Sequence, residues 1–156
     1  MSGDNERRLT QMLDREIQAG RALAETLVEE KAALTGSSAE AVLEQAERKT
    51  TLLSELNALD AERRALCQRL NLSLPPRTRG RVPAIAEVSA AVSESWQTLL
   101  EIMAGCRIAN EVNGYIINAR RAQIEQLVHA VRGVAPMTYG RAGRPQGASL
   151  RPLARA

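Results

Sequence analysis

The stretch from Val92 to Val131 constrains the fold most, because a single stripe of side chains recurs along it at alternating steps of four and three residues. This spacing keeps the stripe on one face of an α-helix, and a sustained run of it is typical of the seam of a helical bundle or coiled coil. The stripe consists of Val92, Trp96, Leu99, Met103, Cys106, Asn110, Asn113, Ile117, Arg120, Ile124, Leu127 and Val131. Its two ends are mainly apolar, its middle is polar and no proline interrupts it, so we predict one long helix.

The composition favours an all-α protein. The chain has 156 residues, of which 44% are hydrophobic and only 2% aromatic. A core rich in alanine and leucine suits packed helices better than a β-sandwich, and the length fits one domain. No stretch approaches the ~18 consecutive apolar residues of a membrane span, and the first residues do not resemble a signal peptide. We therefore expect a cytoplasmic protein with no membrane insertion.

The residues that usually carry chemistry are scarce. His129 is the single histidine, and Cys67 and Cys106 stand alone within helical patterns. Reduced thiols fit this arrangement better than a disulfide, and a metal site of the usual histidine and cysteine kind is not expected. The chain also lacks a Ser/His/Asp set, carboxylates paired on an apolar face and a phosphate-binding glycine loop. We expect no catalytic residue, no cofactor and no enzymatic activity.

Two helices precede the long one and form a hairpin. The first is predicted from about Asp4 to Leu34, with Gly36 as a left-handed C-terminal residue. Ser37 and Glu40 then form a capping box, and the second helix follows to about Leu70. Such a short connection forces the two helices to run antiparallel. The inward face of the second helix is predicted to contain Leu43, Ala46, Thr50, Leu53, Leu56, Leu59, Arg63, Leu66 and Leu70.

The remaining segments divide the chain into a helical domain and a tail. Residues 71–83 contain three prolines and three arginines and are predicted to be a linker. The third helix is predicted to start near Pro83 or Ala84 and to run to Arg132. Residues 1–132 thus form the helical domain, and residues 133–156 a flexible tail rich in glycine, proline and arginine. The tail and the linker carry the excess positive charge, which leaves the helical body mildly acidic.

The lengths of the helices predict a surface that needs a partner. At ~1.5 Å per residue the first two helices are about 45–50 Å long and the third about 70 Å. A straight third helix would pass the hairpin turn near residues 113–117, and its last turns would carry uncovered apolar side chains. These side chains are Ile116, Ile117, Ile124, Leu127, Val128 and Val131.

The second half of the chain resembles a known family. Asn110, Asn113-Gly114 and Ile116-Ile117 are followed by Arg120 and Gln123, a helix end at Gly133, and Tyr139-Gly140 with Gly143. This order and spacing is similar to the C-terminal signature of the FlgN family of flagellar export chaperones, over about residues 96–143.

The resemblance implies a function for this surface. Members of the family bind the C-terminal helices of the hook–filament junction proteins, keep them from polymerising early and deliver them to the cytoplasmic domain of the export gate. The tail tyrosine, here Tyr139, is the feature linked to docking on that gate. The implied client-binding residues are Asn113, Ile116, Ile117, Arg120, Ile124, Leu127, Val128 and Val131.

The residues leave alternatives open. Asn110, Asn113 and Arg120 are also compatible with polar positions that fix register inside a bundle. The arginines of the tail and linker could contact nucleic acid, although the aromatic residues that stack on bases are missing. A structural homo-oligomer, such as a homodimer in which two exposed surfaces cover each other, is a third reading.

Overall fold

The computed structural model describes residues 3–36, 38–72 and 89–132, and these ranges are helical with no strand. The three helices are α1 (Gly3–Thr35), α2 (Ala39–Arg69) and α3 (Ala90–Val131). They pack against each other, which confirms the predicted all-α bundle with a long third helix. Residue 37, most of the linker and the whole tail lie outside the described residues.

The helix ends differ in detail from the prediction. The N-cap of α2 is Ser38, whose Oγ accepts a hydrogen bond of 3.1 Å from the amide of Ala41, so the box built on Ser37 was wrong. Gly36 does not adopt a left-handed conformation. The left-handed residue is Asn71, with φ 52°, at the end of α2.

Two backbone hydrogen bonds identify this end of α2 as a Schellman motif. The amide of Leu72 donates to the carbonyl of Cys67 at 2.9 Å, and the amide of Asn71 donates to that of Gln68 at 3.2 Å. The third helix begins at Ala90, later than predicted. Its Ser89 accepts through Oγ from the amide of Val92 at 3.4 Å, which satisfies a donor of the first turn.

The pairings between helices give an up–down–up order. Glu29 of α1 pairs with Arg48 of α2 at 3.0 Å, whereas Arg15, earlier in α1, pairs with Glu62, later in α2. These two helices are therefore antiparallel. The contacts of α3 run in the same direction as α1, because Gly20 lies against Cys106 and Leu27 against Asn113.

In the described ranges the core consists of two apolar clusters with charged residues among them. One cluster lies around Leu13, Leu66 and Trp96, and the other around Leu23, Leu59 and Cys106. Burying an aliphatic side chain of this kind contributes about 1.5–3 kcal/mol. The spacing in α3 predicted its buried residues Val92, Trp96, Leu99 and Cys106 correctly.

A buried ion pair crosses the first cluster. Glu16, which is fully buried, accepts a hydrogen bond of 2.7 Å from Nε of Arg63, which is 3% exposed. The same guanidinium donates to Asp60 and covers the ring of Trp96. All three helices therefore contribute to one polar contact inside the bundle.

Part of the prediction for α2 was wrong. Leu43 is 65% exposed, Leu53 is 42% exposed and Thr50 is also exposed, although all three were placed on the inward face. Lys49 is partly buried, because its ammonium pairs with Glu30 of α1. Leu56, Leu59, Arg63 and Leu66 are buried as predicted.

The chain forms two compact units, Met1–Ile117 and Asn118–Ala156, and α3 contributes to both. In the first unit the last buried residue is Asn113. In the second unit the structure describes residues 118–132.

Candidate functional site

The last turns of α3 expose most of the aliphatic side chains that the sequence singled out. In the second unit, residues 118–132 are all exposed. The large apolar side chains among them are Ile124 at 60%, Leu127 at 66%, Val128 at 40% and Val131 at 87% relative exposure. We call these four residues the distal surface. Steps of three and four residues place them along one side of the helix.

Polar side chains flank the distal surface. Arg120, Arg121 and Arg132 carry positive charge, and Glu125 carries negative charge. Nε of Arg121 donates to Glu125 at 2.9 Å, one turn later on the helix. Because both side chains of this pair are more than half exposed, it contributes little to stability. Residues 118–132 therefore combine exposed aliphatic groups with a positive charge balance.

The two isoleucines at the end of the first unit differ in exposure. Ile117 is 44% exposed, whereas the neighbouring Ile116 is half-buried. The family resemblance implies three client-binding residues in the first unit, and of these Ile117 is the exposed one.

The predicted site has to be corrected at Asn113, because this residue lies inside the bundle. It is 1% exposed, and its Nδ2 donates to the carbonyl of Leu27 at 2.9 Å and to Glu30 at 2.7 Å. A residue enclosed in this way has no surface to offer a partner. The reading that a polar position fixes register inside the bundle accounts for Asn113.

Asn113 belongs to a polar cross-link that joins all three helices. Glu30 of α1 also accepts from Lys49 of α2, and the same ammonium lies 3.4 Å from Oδ1 of Asn110 in α3. Since Glu30 is 3% exposed, its charge would be costly to bury without these partners. Of the two asparagines of the family-like signature, Asn113 is buried within this cross-link and Asn110 lies at its exposed edge.

The two cysteines are buried and free. Burial raises the pKa of the Cys67 thiol, an effect that the nearby Arg63 partly opposes, and burial also raises the pKa of the Cys106 thiol. A raised pKa keeps both thiols protonated and unreactive at neutral pH. Within the described ranges, no group of three or more histidine, cysteine, aspartate or glutamate side chains is placed to hold a metal ion.

The sequence prediction missed a second set of exposed apolar side chains on α3. Ile108 is 60% exposed, Val112 38% and Tyr115 74%. These residues are spaced four and three positions apart, so they form a helical stripe of their own. The prediction missed them because it followed the longer stripe. Tyr139 falls outside the described residues.

Comparison with known proteins agrees with the signature read from α3. The family model described as FlgN protein matches residues 1–147. The chain belongs to the FlgN family. Its similarity to a curated relative, the flagella synthesis protein FlgN of Yersinia enterocolitica, is 26% identity over 152 residues, covering 92% of each chain. No solved structure matches the chain significantly.

Membership of the FlgN family confirms the resemblance and extends it from the second half to most of the chain. It supports a general role as a flagellar export chaperone, in a family of chaperones rather than of enzymes. In the part of this FlgN-family chain that the structure describes, no helix is both long and apolar enough to cross a membrane.

Proposed function

We propose that this protein is a cytoplasmic chaperone of flagellar type III export that binds the C-terminal helices of hook–filament junction proteins. Binding prevents these clients from polymerising early, and the chaperone then delivers them to the cytoplasmic domain of the export gate. The distal surface is the client-binding site, with Ile117 and Arg120 beside it in the sequence. Neither nucleic acid nor a cofactor takes part.

The exposure of the distal surface is the observation that carries the proposal. Four large aliphatic side chains within eight residues have relative exposures between 40% and 87%. A contiguous apolar surface that is exposed on a folded protein marks an interaction site. An amphipathic helix is a suitable partner, because it presents its own side chains at the same spacing of three and four residues.

The net positive charge of residues 118–132 also favours one kind of client helix. Arg120, Arg121 and Arg132 outnumber Glu125 between residues 118 and 132. A client helix that carries carboxylates beside its apolar face would match this balance, whereas a basic helix would be repelled. Charge complementarity of this kind acts mainly on the rate of association and on partner choice.

The proposal is tested by placing a charge on the distal surface. Leu127→Asp and Ile124→Asp should each weaken binding of a synthetic C-terminal helix of a hook–filament junction protein at least tenfold in calorimetric titration. A loss of ~1.4 kcal/mol corresponds to a factor of ten, and burying one aliphatic side chain is worth about that much or more. The melting temperature should stay unchanged, because neither side chain is buried.

Ala122→Asp is the matched control. Ala122 is also exposed on α3, but it lies on the opposite side of the helix from Ile124 and Leu127 at 100° per residue. The control should bind the client helix within twofold of the unmodified protein. Equal losses in the control and the distal variants, or a lower melting temperature with full binding, would contradict the proposal.

A homodimer that buries two distal surfaces is the competing reading. It predicts that the mass of the protein alone, measured by light scattering, rises with protein concentration. In Leu127→Asp the mass should instead stay at the monomer value. A monomer at all concentrations favours the chaperone.

A further inference from the structure

A cleft between α1 and α2 carries features that the client site does not explain. It has a volume of 210 Å³ and is lined by Arg8, Gln11, Met12, Arg15, Leu66 and Arg69. These residues repeat at three to four positions on each helix, so the cleft follows the line where the two antiparallel helices meet. All of them belong to the first unit, whereas the distal surface belongs to the second.

The floor of the cleft is apolar and is supported by the core. Leu66 is 4% exposed, and Met12 is a partly buried side chain that packs against the first core cluster. The floor can therefore accept an aliphatic group from a partner without rearranging. At 210 Å³ the cleft is smaller than the roughly 300–1,000 Å³ typical of pockets for small molecules, which favours individual side chains of a larger partner.

The rim of the cleft is strongly basic. Arg8, Arg15 and Arg69 line it, and no acidic residue of the described ranges does. Arg15 is 3.7 Å from Glu62, but both side chains of this pair are more than half exposed. In the described ranges, no carboxylate is paired with Arg8 or Arg69. Like charges around one cleft repel each other, and a carboxylate-bearing partner would relieve that repulsion.

We infer that this cleft is a second docking surface, which takes an acidic amphipathic helix of a partner protein. The helix would place one or two aliphatic side chains on Met12 and Leu66 and its carboxylates beside the arginines. An apolar floor with charged edges fits recognition of a helix in a groove. A nucleic acid fits less well, because the lining residues in the described ranges include no aromatic side chain on which a base could stack.

A synthetic peptide tests the inference with the full-length protein. The probe is an 18-residue helical peptide with leucines at i and i+4 flanked by glutamates, labelled for fluorescence anisotropy. It should bind at least tenfold more tightly than the same peptide with every glutamate replaced by lysine. It should also bind more tightly than the peptide with every leucine replaced by alanine, because the floor contributes to binding.

Two variants locate the binding. Arg8→Glu combined with Arg69→Glu should weaken binding of the peptide at least tenfold. Gln11→Trp, which fills the cleft without changing its charge, should also weaken binding. The matched control is Arg21→Glu combined with Arg107→Glu, which makes the same charge change at exposed positions outside the cleft. This control should bind within twofold of the unmodified protein, and all variants should keep the helical circular dichroism spectrum.

Several outcomes would overturn the inference. They are no binding of the glutamate–leucine peptide, an equal loss in the control variant, or full binding in Gln11→Trp. A twelve-residue oligothymidine that binds as tightly, and is lost in the same cleft variants, would instead make the cleft a nucleic-acid site. Ile124→Asp separates this test from that of the client site, because it should weaken client binding at least tenfold and leave binding of the peptide to the cleft unchanged.

Discussion

The guanidinium of Arg63 lies 4.5 Å from the centre of the Trp96 ring, so a charge from α2 is held over the face of an aromatic side chain from α3. Arg63 is 3% and Trp96 1% exposed, and the other side of the contact is closed by Glu16 of α1. Cation–π contacts of this kind contribute about 2 kcal/mol or more when they are desolvated. Side chains from all three helices therefore meet at this one buried polar contact.

The first prediction concerns this charge. Arg63→Met should lower the free energy of unfolding by about 3–5 kcal/mol, because it leaves Glu16 buried without its main partner. Adding Glu16→Leu should recover part of the loss. Urea denaturation measures both. Arg64→Met is the control, since its side chain is 72% exposed, and it should cost no more than about 1 kcal/mol. Equal costs at the two arginines would contradict this account.

The second prediction separates register from client contact. Asn113→Ala should lower the free energy of unfolding by about 1–3 kcal/mol, because the carbonyl of Leu27 and the carboxylate of Glu30 lose a buried donor. Under conditions where the variant is folded, its affinity for a client helix should be unchanged. Asn118→Ala, at an exposed position of the same helix, should change neither quantity. Lost affinity in folded Asn113→Ala would return Asn113 to the client site.

The third prediction compares two glycines. A Cβ added at Gly20 would lie 3.0 Å from Cγ2 of Ile102, whereas one added at Gly105 would meet nothing within 4 Å. Gly105→Ala should therefore stabilise the protein by about 0.5–1 kcal/mol through helix propensity. Gly20→Ala should gain less or destabilise, because the side chain of Ile102 must give way to the added methyl group. Thermal melts of the two variants should differ in this order.

The fourth prediction concerns the buried thiols. Because burial raises the pKa of Cys67 and Cys106, folding favours their protonated forms. That contribution is fully present below the ordinary thiol pKa of 9.0 and is lost as the pH rises above it, through the raised values. The free energy of unfolding should fall from pH 8 to pH 10, and the fall should be smaller in Cys67→Ala combined with Cys106→Ala. Identical slopes would contradict the prediction.

The fifth prediction concerns delivery, which the family resemblance links to the tail tyrosine, Tyr139. Tyr139→Ala should leave the melting temperature and client affinity unchanged and should lower secretion of the client into the culture medium. Tyr115→Ala is the control, because Tyr115 is an exposed tyrosine on α3 outside the tail. Secretion of the client should stay normal in this variant. If Tyr139→Ala loses client affinity, the residue belongs to the client site and not to gate docking.

Periodicity explains how much of the fold was predictable. Steps of three and four residues located all three helices. Four buried positions of α3, Val92, Trp96, Leu99 and Cys106, followed directly, whereas the buried Leu100 lies outside the predicted stripe. The same rule was wrong at Leu43 and Leu53, because a spacing of three and four residues is compatible with more than one face of a helix. Leu52, one residue before Leu53, is the side chain that packs against the core. The spacing also could not show that Glu16 is buried, since its partner Arg63 lies 47 residues away in the chain.

The asparagines show why the candidate site was only partly predictable. A polar residue in an apolar stripe is compatible with a partner contact outside or a hydrogen bond inside. What decides between them at Asn113 is the carbonyl of Leu27, a backbone group that no side-chain pattern reveals. For Ile124 and Leu127 the pattern was sufficient to mark the apolar face, but only the structure gives their exposure.

The position of Asn113 as the last buried residue of the bundle has a consequence for how this sequence can change over evolutionary time. The described core is complete by that residue, and none of its members comes from residues 118–131. Substitutions in those last turns are therefore not constrained by packing within the bundle. The distal surface is free to change together with its partner, while substitutions at Glu30, Lys49 and Asn113 must preserve one another's hydrogen bonds.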